Sequence, residues 1–182
     1  MEMLYEDYLK LVSTRLIEDR FNLEEIRING YKIDLFGISQ EYDMGSAPYA
    51  DGIDPLVGRG SYRLVFGIIS TPAVTVDAIE NYSSTLYDYA FNKVSESRQV
   101  HRIIFPVIAS KKSPDEVVSL VRSYHGIRIR FPIGDVTRPV LVDLDSDSIH
   151  YNSKVTWKYY RGKKIAKEAI EKYLVVGNMK KT

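Results

Sequence analysis

Between Met3 and Asp19 the residues Leu4, Tyr8, Leu11, Val12 and Leu16 recur every three or four positions. That spacing gathers them on one face of a 3.6-residue turn and predicts an amphipathic helix over 3–19. The pattern then changes. LEEIRI and YKIDLFGIS alternate apolar with polar residues on either side of Asn29-Gly30. An Asn-Gly pair suits a two-residue hairpin turn, whose central positions both need positive φ, so two antiparallel strands are expected. Residues 40–61 are rich in glycine and proline and read as a long loop. YRLVFGIIS follows as a third strand, and its unbroken apolar run implies burial on both faces.

After Thr71-Pro72, the positions Val76, Ile79, Leu86 and Val94 mark a second helical face. HRIIFPVIAS reads as a strand in which Pro106 must avoid a ladder N–H position. Ser113-Pro114-Asp115-Glu116 has the form of a helix start, with serine as cap, proline at the first turn and acids beside the positive helix end. Gly126 would terminate that helix. IRIRF and PVLVDLD read as further strands, and WKYYRGKKIAKEAIEKYLVVG as a terminal helix. A hairpin followed by βα alternation predicts an α/β fold, with a mixed central sheet flanked by helices. The expected organisation is a body over 1–153 and a basic helical extension over 154–182, packed on the body or projecting from it.

Composition narrows the chemistry. The 182 residues are 45% hydrophobic and 27% charged, as in an ordinary globular domain. Cysteine is absent, which removes disulfides, thiolate metal sites and a cysteine nucleophile. His101, His125 and His150 are too far apart in sequence to suggest a zinc motif. The lack of cysteine, with plentiful Ile, Tyr, Lys and Arg, gives a thermophile-like composition. No apolar run approaches the ~20 residues of a membrane span. The acidic, amphipathic start MEMLYEDYLKLV does not read as a signal peptide, so a cytoplasmic protein is expected.

Charge is unevenly spread. The net value is +1, yet Lys154 to Thr182 holds nine basic residues against two acids, leaving the rest of the chain acidic. Trp157, Lys158, Tyr160, Arg161, Lys163 and Lys164 interleave rings with cations, a combination that can stack on bases while tracking phosphates. Lys111 and Lys112 are further candidates for a polyanion. The same residues suit a solvated amphipathic helix or an interface with a second copy or another protein. Other motifs are weak. Ser70 with His101 or His125 lacks a nucleophile elbow. The glycines near Arg59 are followed by no GK[ST], and DLDSDS lacks the glycine and glutamate of a calcium loop.

The order helix, hairpin, third strand, helix, fourth strand resembles the core of the PD-(D/E)XK, or restriction-endonuclease-like, nuclease superfamily over roughly residues 3–110. In YKIDLFGIS, Asp34 matches the position of that family's second-strand aspartate. The resemblance implies a nuclease-like core in which Asp34 and a first-helix acid, Glu6, Glu18 or Asp19, help to hold Mg²⁺. In the family an acid and a lysine two residues apart on the third strand complete the site; here those places are Gly67 and Ile69. A metal ligand migrated to the next helix would come from Asp77 or Glu80. Asp34 can equally be a strand carboxylate paired with Lys32. The resulting expectation is a catalytically silent nuclease-like domain that binds nucleic acid and needs no cofactor. The alternatives are an Mg²⁺-dependent nuclease and a homo-oligomeric or protein-binding scaffold.

Overall fold

The computed structural model describes residues 3–43, 61–94, 100–124, 126–130, 133–154 and 160–181, without the side chains of 43, 127–130, 133–134 and 160–161. Its elements in chain order are α1 (Tyr5–Glu18), β1 (Asn22–Ile28), β2 (Tyr31–Ile38), β3 (Tyr42–Asp43), β4 (Ser61–Ser70) and α2 (Val76–Lys93). There follow β5 (Val100–Ser110), α3 (Asp115–Ser123), β6 (Gly126–Arg130), β7 (Ile133–Thr137), β8 (Val140–Asp143) and β9 (Ser148–Tyr151). Last come α4 (Tyr160–Ala169), a π-helical turn (Ile170–Leu174) and β10 (Lys180–Lys181).

These strands form one mixed sheet in the order β1-β2-β4-β5-β8-β9-β10, with β3 on β4 and the β6–β7 hairpin on β5. The pairs β1–β2 and β2–β4 are antiparallel, and β4–β5 and β5–β8 are parallel. The fold is therefore α/β, with a restriction-endonuclease-like arrangement of hairpin, third long strand, helix and parallel fourth strand. Asn29 and Gly30 take φ of 45° and 88°, the backbone expected of the hairpin turn.

Alternation along β4 divides the core. Leu64, Phe66 and Ile68 pack with α1, α4 and the π turn, whereas Val65 and Ile69 pack with α2 and α3. Phe66 stacks on Phe105 of β5 at 4.5 Å between centroids. Burial of each such side chain stabilises the fold by roughly 1.5–3 kcal/mol. The terminal segment belongs to the same core, through Ala166, Ile170, Leu174 and Val176. Arg15 fastens it further by donating from Nη1 to the carbonyls of Lys172 and Val175.

Pro106 lies on a strand buried along its whole length. Its neighbour on one side breaks between β7 and β8: Ile104 pairs with Thr137 and Val107 with Val140. Arg138-Pro139 fills the break, so the proline faces a gap in the ladder and the missing N–H is tolerated. Two local expectations are corrected. Pro114, not Ser113, is the N-cap of α3, and the Ser113 hydroxyl makes no capping bond. Gly126 opens β6 instead of ending a helix. A side chain there would meet the Thr137 carbonyl at 3.0 Å, so close strand approach explains the glycine. The strand β9, SIHY, has no clear signature in the sequence because it is short and half polar.

Candidate functional site

Asp34 lies in a β-bulge. Glu24 pairs with Phe36 and Ile26 with Ile33, so Asp34 and Leu35 together oppose Glu25. The extra residue breaks the period of two. Ile33 and Phe36 both bury on the α2 side while Leu35 packs on the α1 side. Asp34 reaches α1 as well: its Oδ2 accepts a hydrogen bond from the Tyr5 hydroxyl at 2.8 Å. Its Oδ1 meets Lys32 Nζ at 2.9 Å. Burial, followed by the bond to Asp34, pushes the Tyr5 hydroxyl pKa well above its ordinary value, so Tyr5 stays a neutral donor. The paired carboxylate likewise raises the Lys32 ammonium.

The third-strand positions are closed. Gly67 faces α2, and a methyl group there would lie 2.7 Å from Tyr82 Oη and 2.8 Å from both Leu86 methyl carbons. Tyr82 and Leu86 are wholly buried, so neither has free space to withdraw into. Ile69 belongs to the same apolar layer. A Mg²⁺ site needs converging carboxylate oxygens at about 2.1 Å from the ion. Asp34 is already engaged, and its strand neighbours offer apolar surface in place of ligands.

The other acids are dispersed. Glu6 is exposed on α1; Asp77 and Glu80 are exposed on α2, which packs against the opposite sheet face. Asp77 sits in the first turn of α2 beside the Thr75 cap, where a carboxylate complements the helix dipole. Among the described residues, no three His, Asp or Glu side chains are grouped to hold a metal ion. The described residues around Asp34 do not supply the usual metal set of the resembled family.

Asp34 is one of several carboxylates held in the same way. Asp19 accepts from the Tyr173 hydroxyl at 2.5 Å and pairs with Lys172. Glu171 accepts from the Tyr151 hydroxyl at 3.0 Å and meets Lys181 at 3.6 Å. Asp135, almost wholly buried on β7, accepts from Tyr87 at 3.1 Å and from Arg102 of β5. A tyrosine hydroxyl and a cation thus recur as a paired clamp on an acid, which accounts for part of the chain's tyrosine content. Sequence reading found Asp34 by position but missed Asp135, whose partners lie 33 and 48 residues away.

The cationic candidates also separate. Lys111 and Lys112 are exposed just beyond β5. Lys163 is buried in α4, which leaves it little surface to offer a ligand. Lys164 is exposed and pairs loosely with Glu168 at 3.9 Å. Tyr160 and Arg161 belong to α4, with side chains outside the described set; Trp157 and Lys158 lie outside the described residues altogether. Lys172 and Lys181 are matched to acids, so part of the tail's positive charge is neutralised at home. His101 pairs with Tyr62 at one end of the β4–β5 ladder, far from Ser70, which pairs with Ala109 at the other, so Ser70 and His101 form no hydrolytic pair. His125 lies outside the described residues.

One further feature gave no signal in sequence. At the end of β4 away from Asp34 lies a cleft of about 390 Å³, whose wall includes Tyr42, Tyr62, Tyr173, Glu18, Asp19 and Lys172. Its contributors come from five separate elements, α1, β3, β4, α4 and the π turn, and from the turn after α1, so no local motif marks it.

No protein-family model matches the chain, and no curated protein matches it. Among the described residues, no helix is long and apolar enough to cross a membrane.

Proposed function

We propose that the chain is a nuclease-like domain without a working cleavage site, which acts by binding and takes nucleic acid as its ligand. The observation that carries this reading is the state of Asp34. Both its oxygens are engaged, by Tyr5 and Lys32, in the clamp that also holds Asp19, Glu171 and Asp135. A carboxylate so held ties α1 to β2, and Gly67 and Ile69 supply neither of the groups that phosphodiester cleavage requires beside it. Binding would draw on Lys111, Lys112 and Lys164, with Trp157, Lys158, Tyr160 and Arg161 of the basic tail. Phosphate contacts of this kind release counterions, so affinity should fall steeply with salt.

Two measurements test the reading. Cleavage of single- and double-stranded DNA and RNA is followed with Mg²⁺ or Mn²⁺ for the wild type and Asp34→Ala. Both should remain at background; cleavage that disappears with Asp34→Ala overturns the silent site. Filter binding at low salt should show affinity that weakens in Lys111→Ala/Lys112→Ala. Absence of binding to all four nucleic acids overturns the choice of ligand.

A further inference from the structure

The cleft at the far end of β4 has the composition of a cation site. Tyr42 and Tyr62 stand at its wall with ring centroids 5.4 Å apart and planes inclined by 32°. Three carboxylates line it, Glu18, Asp19 and Glu168, against two cations, Arg20 and Lys172. Lys172 is already committed: it pairs with Asp19, and its ammonium lies 4.9 Å from the Tyr173 ring centroid. The cleft therefore holds one alkylammonium of its own, seated between a carboxylate and an aromatic face. The remaining lining repeats those components, with the Tyr42–Tyr62 pair and the exposed carboxylates Glu18 and Glu168, the latter meeting Lys164 only loosely at 3.9 Å.

Helix electrostatics point the same way. Glu18 and Asp19 stand at the C-terminus of α1, where the macrodipole is negative and carboxylates are disfavoured. Arg15 offsets part of this within the last turn, and Lys172 neutralises Asp19. The clamp accounts for Asp19, which leaves Glu18 as the acid set against the local preference with no such clamp among the described residues. Lys172 and Tyr173 come from the π-helical turn, a local irregularity often found at functional sites. Nearby tyrosines remain neutral: burial, then Tyr42 and Glu168, raises Tyr62, and burial followed by Asp19 raises Tyr173.

We infer that this cleft binds an organic alkylammonium ion, seated against the Tyr42–Tyr62 pair and neutralised by Glu168 and Glu18. Aromatic faces attract a cation electrostatically and its alkyl stem by apolar contact. The ligand has the opposite charge to a nucleic acid, and the cleft touches the cationic surface proposed above only where Glu168 meets Lys164.

The test compares 1,6-diaminohexane with uncharged 1,6-hexanediol, by calorimetry and by the ring resonances of Tyr42 and Tyr62. The diamine should bind saturably and shift both rings, while the diol does neither. Glu18→Gln/Glu168→Gln should weaken diamine binding about tenfold and Tyr62→Leu about threefold, with folding checked by circular dichroism. Nα-acetyl-lysine amide separates the sources: its binding identifies a basic peptide side chain, and binding of the diamine alone identifies a free amine. An equal response to diol and diamine, unaltered affinity in the double variant, or no binding of either amine overturns the inference.

Discussion

Asp34 and Asp135 are both strand carboxylates that accept from a tyrosine hydroxyl and a basic side chain, yet their surroundings differ sharply. The Asp34 side chain is 19% exposed and its partner Lys32 is 57% exposed. For Asp135 and Arg102 the values are 2% and 4%. Arg102 gives Asp135 its backbone N–H as well as its guanidinium, and its charge also lies 4.6 Å from the Phe91 ring centroid. Burial thus turns the same clamp from a surface tie into a joint between β5, β7 and α2. The position that resembles a nuclease motif is the less entrenched of the two.

The largest expected effect follows from this difference. Asp135→Ala would leave the Arg102 guanidinium buried and without its carboxylate, which costs about 3–5 kcal/mol. The urea midpoint should fall accordingly. Arg102→Met combined with Asp135→Leu should recover only part of that loss, because the Arg102 N–H and the Tyr87 hydroxyl would still lack their acceptor. A midpoint unchanged by Asp135→Ala would erase the contrast.

Next in size is Gly67→Ala, which asks whether the motif position beside Asp34 is closed by packing. The added methyl should cost about 1–3 kcal/mol by overpacking against Tyr82 and Leu86. Tyr82→Phe removes the nearest atom, a buried hydroxyl with no hydrogen-bond partner among the described residues. The double variant should therefore lose less stability than the two single changes summed. Strict additivity in that cycle would show that the close approach does not explain the glycine.

The fold was legible because its signals are local. Asn29-Gly30 announces the hairpin, and the periods of α1 and α2 announce the helices that cover opposite faces. The site was less legible because its decisive features are not local. Ile33 and Leu35 alternate in sequence as if they shared a face, and only the bulge sends them to opposite sides. The cation that meets Asp135 among the described side chains, Arg102, arrives from another strand 33 residues away. Lys163 reads as one of many tail cations, although packing of α4 buries it.

A smaller effect is expected at Asp34 itself. In Asp34→Asn the amide oxygen can still accept from Tyr5, while the charge attraction to Lys32 is lost. The cost should be about 1 kcal/mol or less, read from the same urea transition. Were it as large as that of Asp135→Ala, Asp34 would be a structural keystone and the contrast between the two carboxylates would fail.

The smallest effect concerns Asp19, a third member of the set, which joins α1 to the terminal segment. Its pKa is lowered by Lys172 first and by the Tyr173 hydroxyl bond next, with burial opposing them. An unfolded aspartate titrates near pH ~3.9. The unfolded chain therefore takes up its proton before the folded one does. The contribution of Asp19 should be complete above about pH 5 and shrink as pH falls through the unfolded and then the folded value. Between pH 5 and 3 the wild type should lose stability more steeply than Asp19→Asn, which carries no titrating group at this position. Hydrogen exchange within Ile170–Leu174 should rise over the same interval if the clamp holds that turn against α1. Parallel pH profiles for the two proteins would mean that the Arg15 bonds and apolar contacts of the π turn hold the segment without help from Asp19.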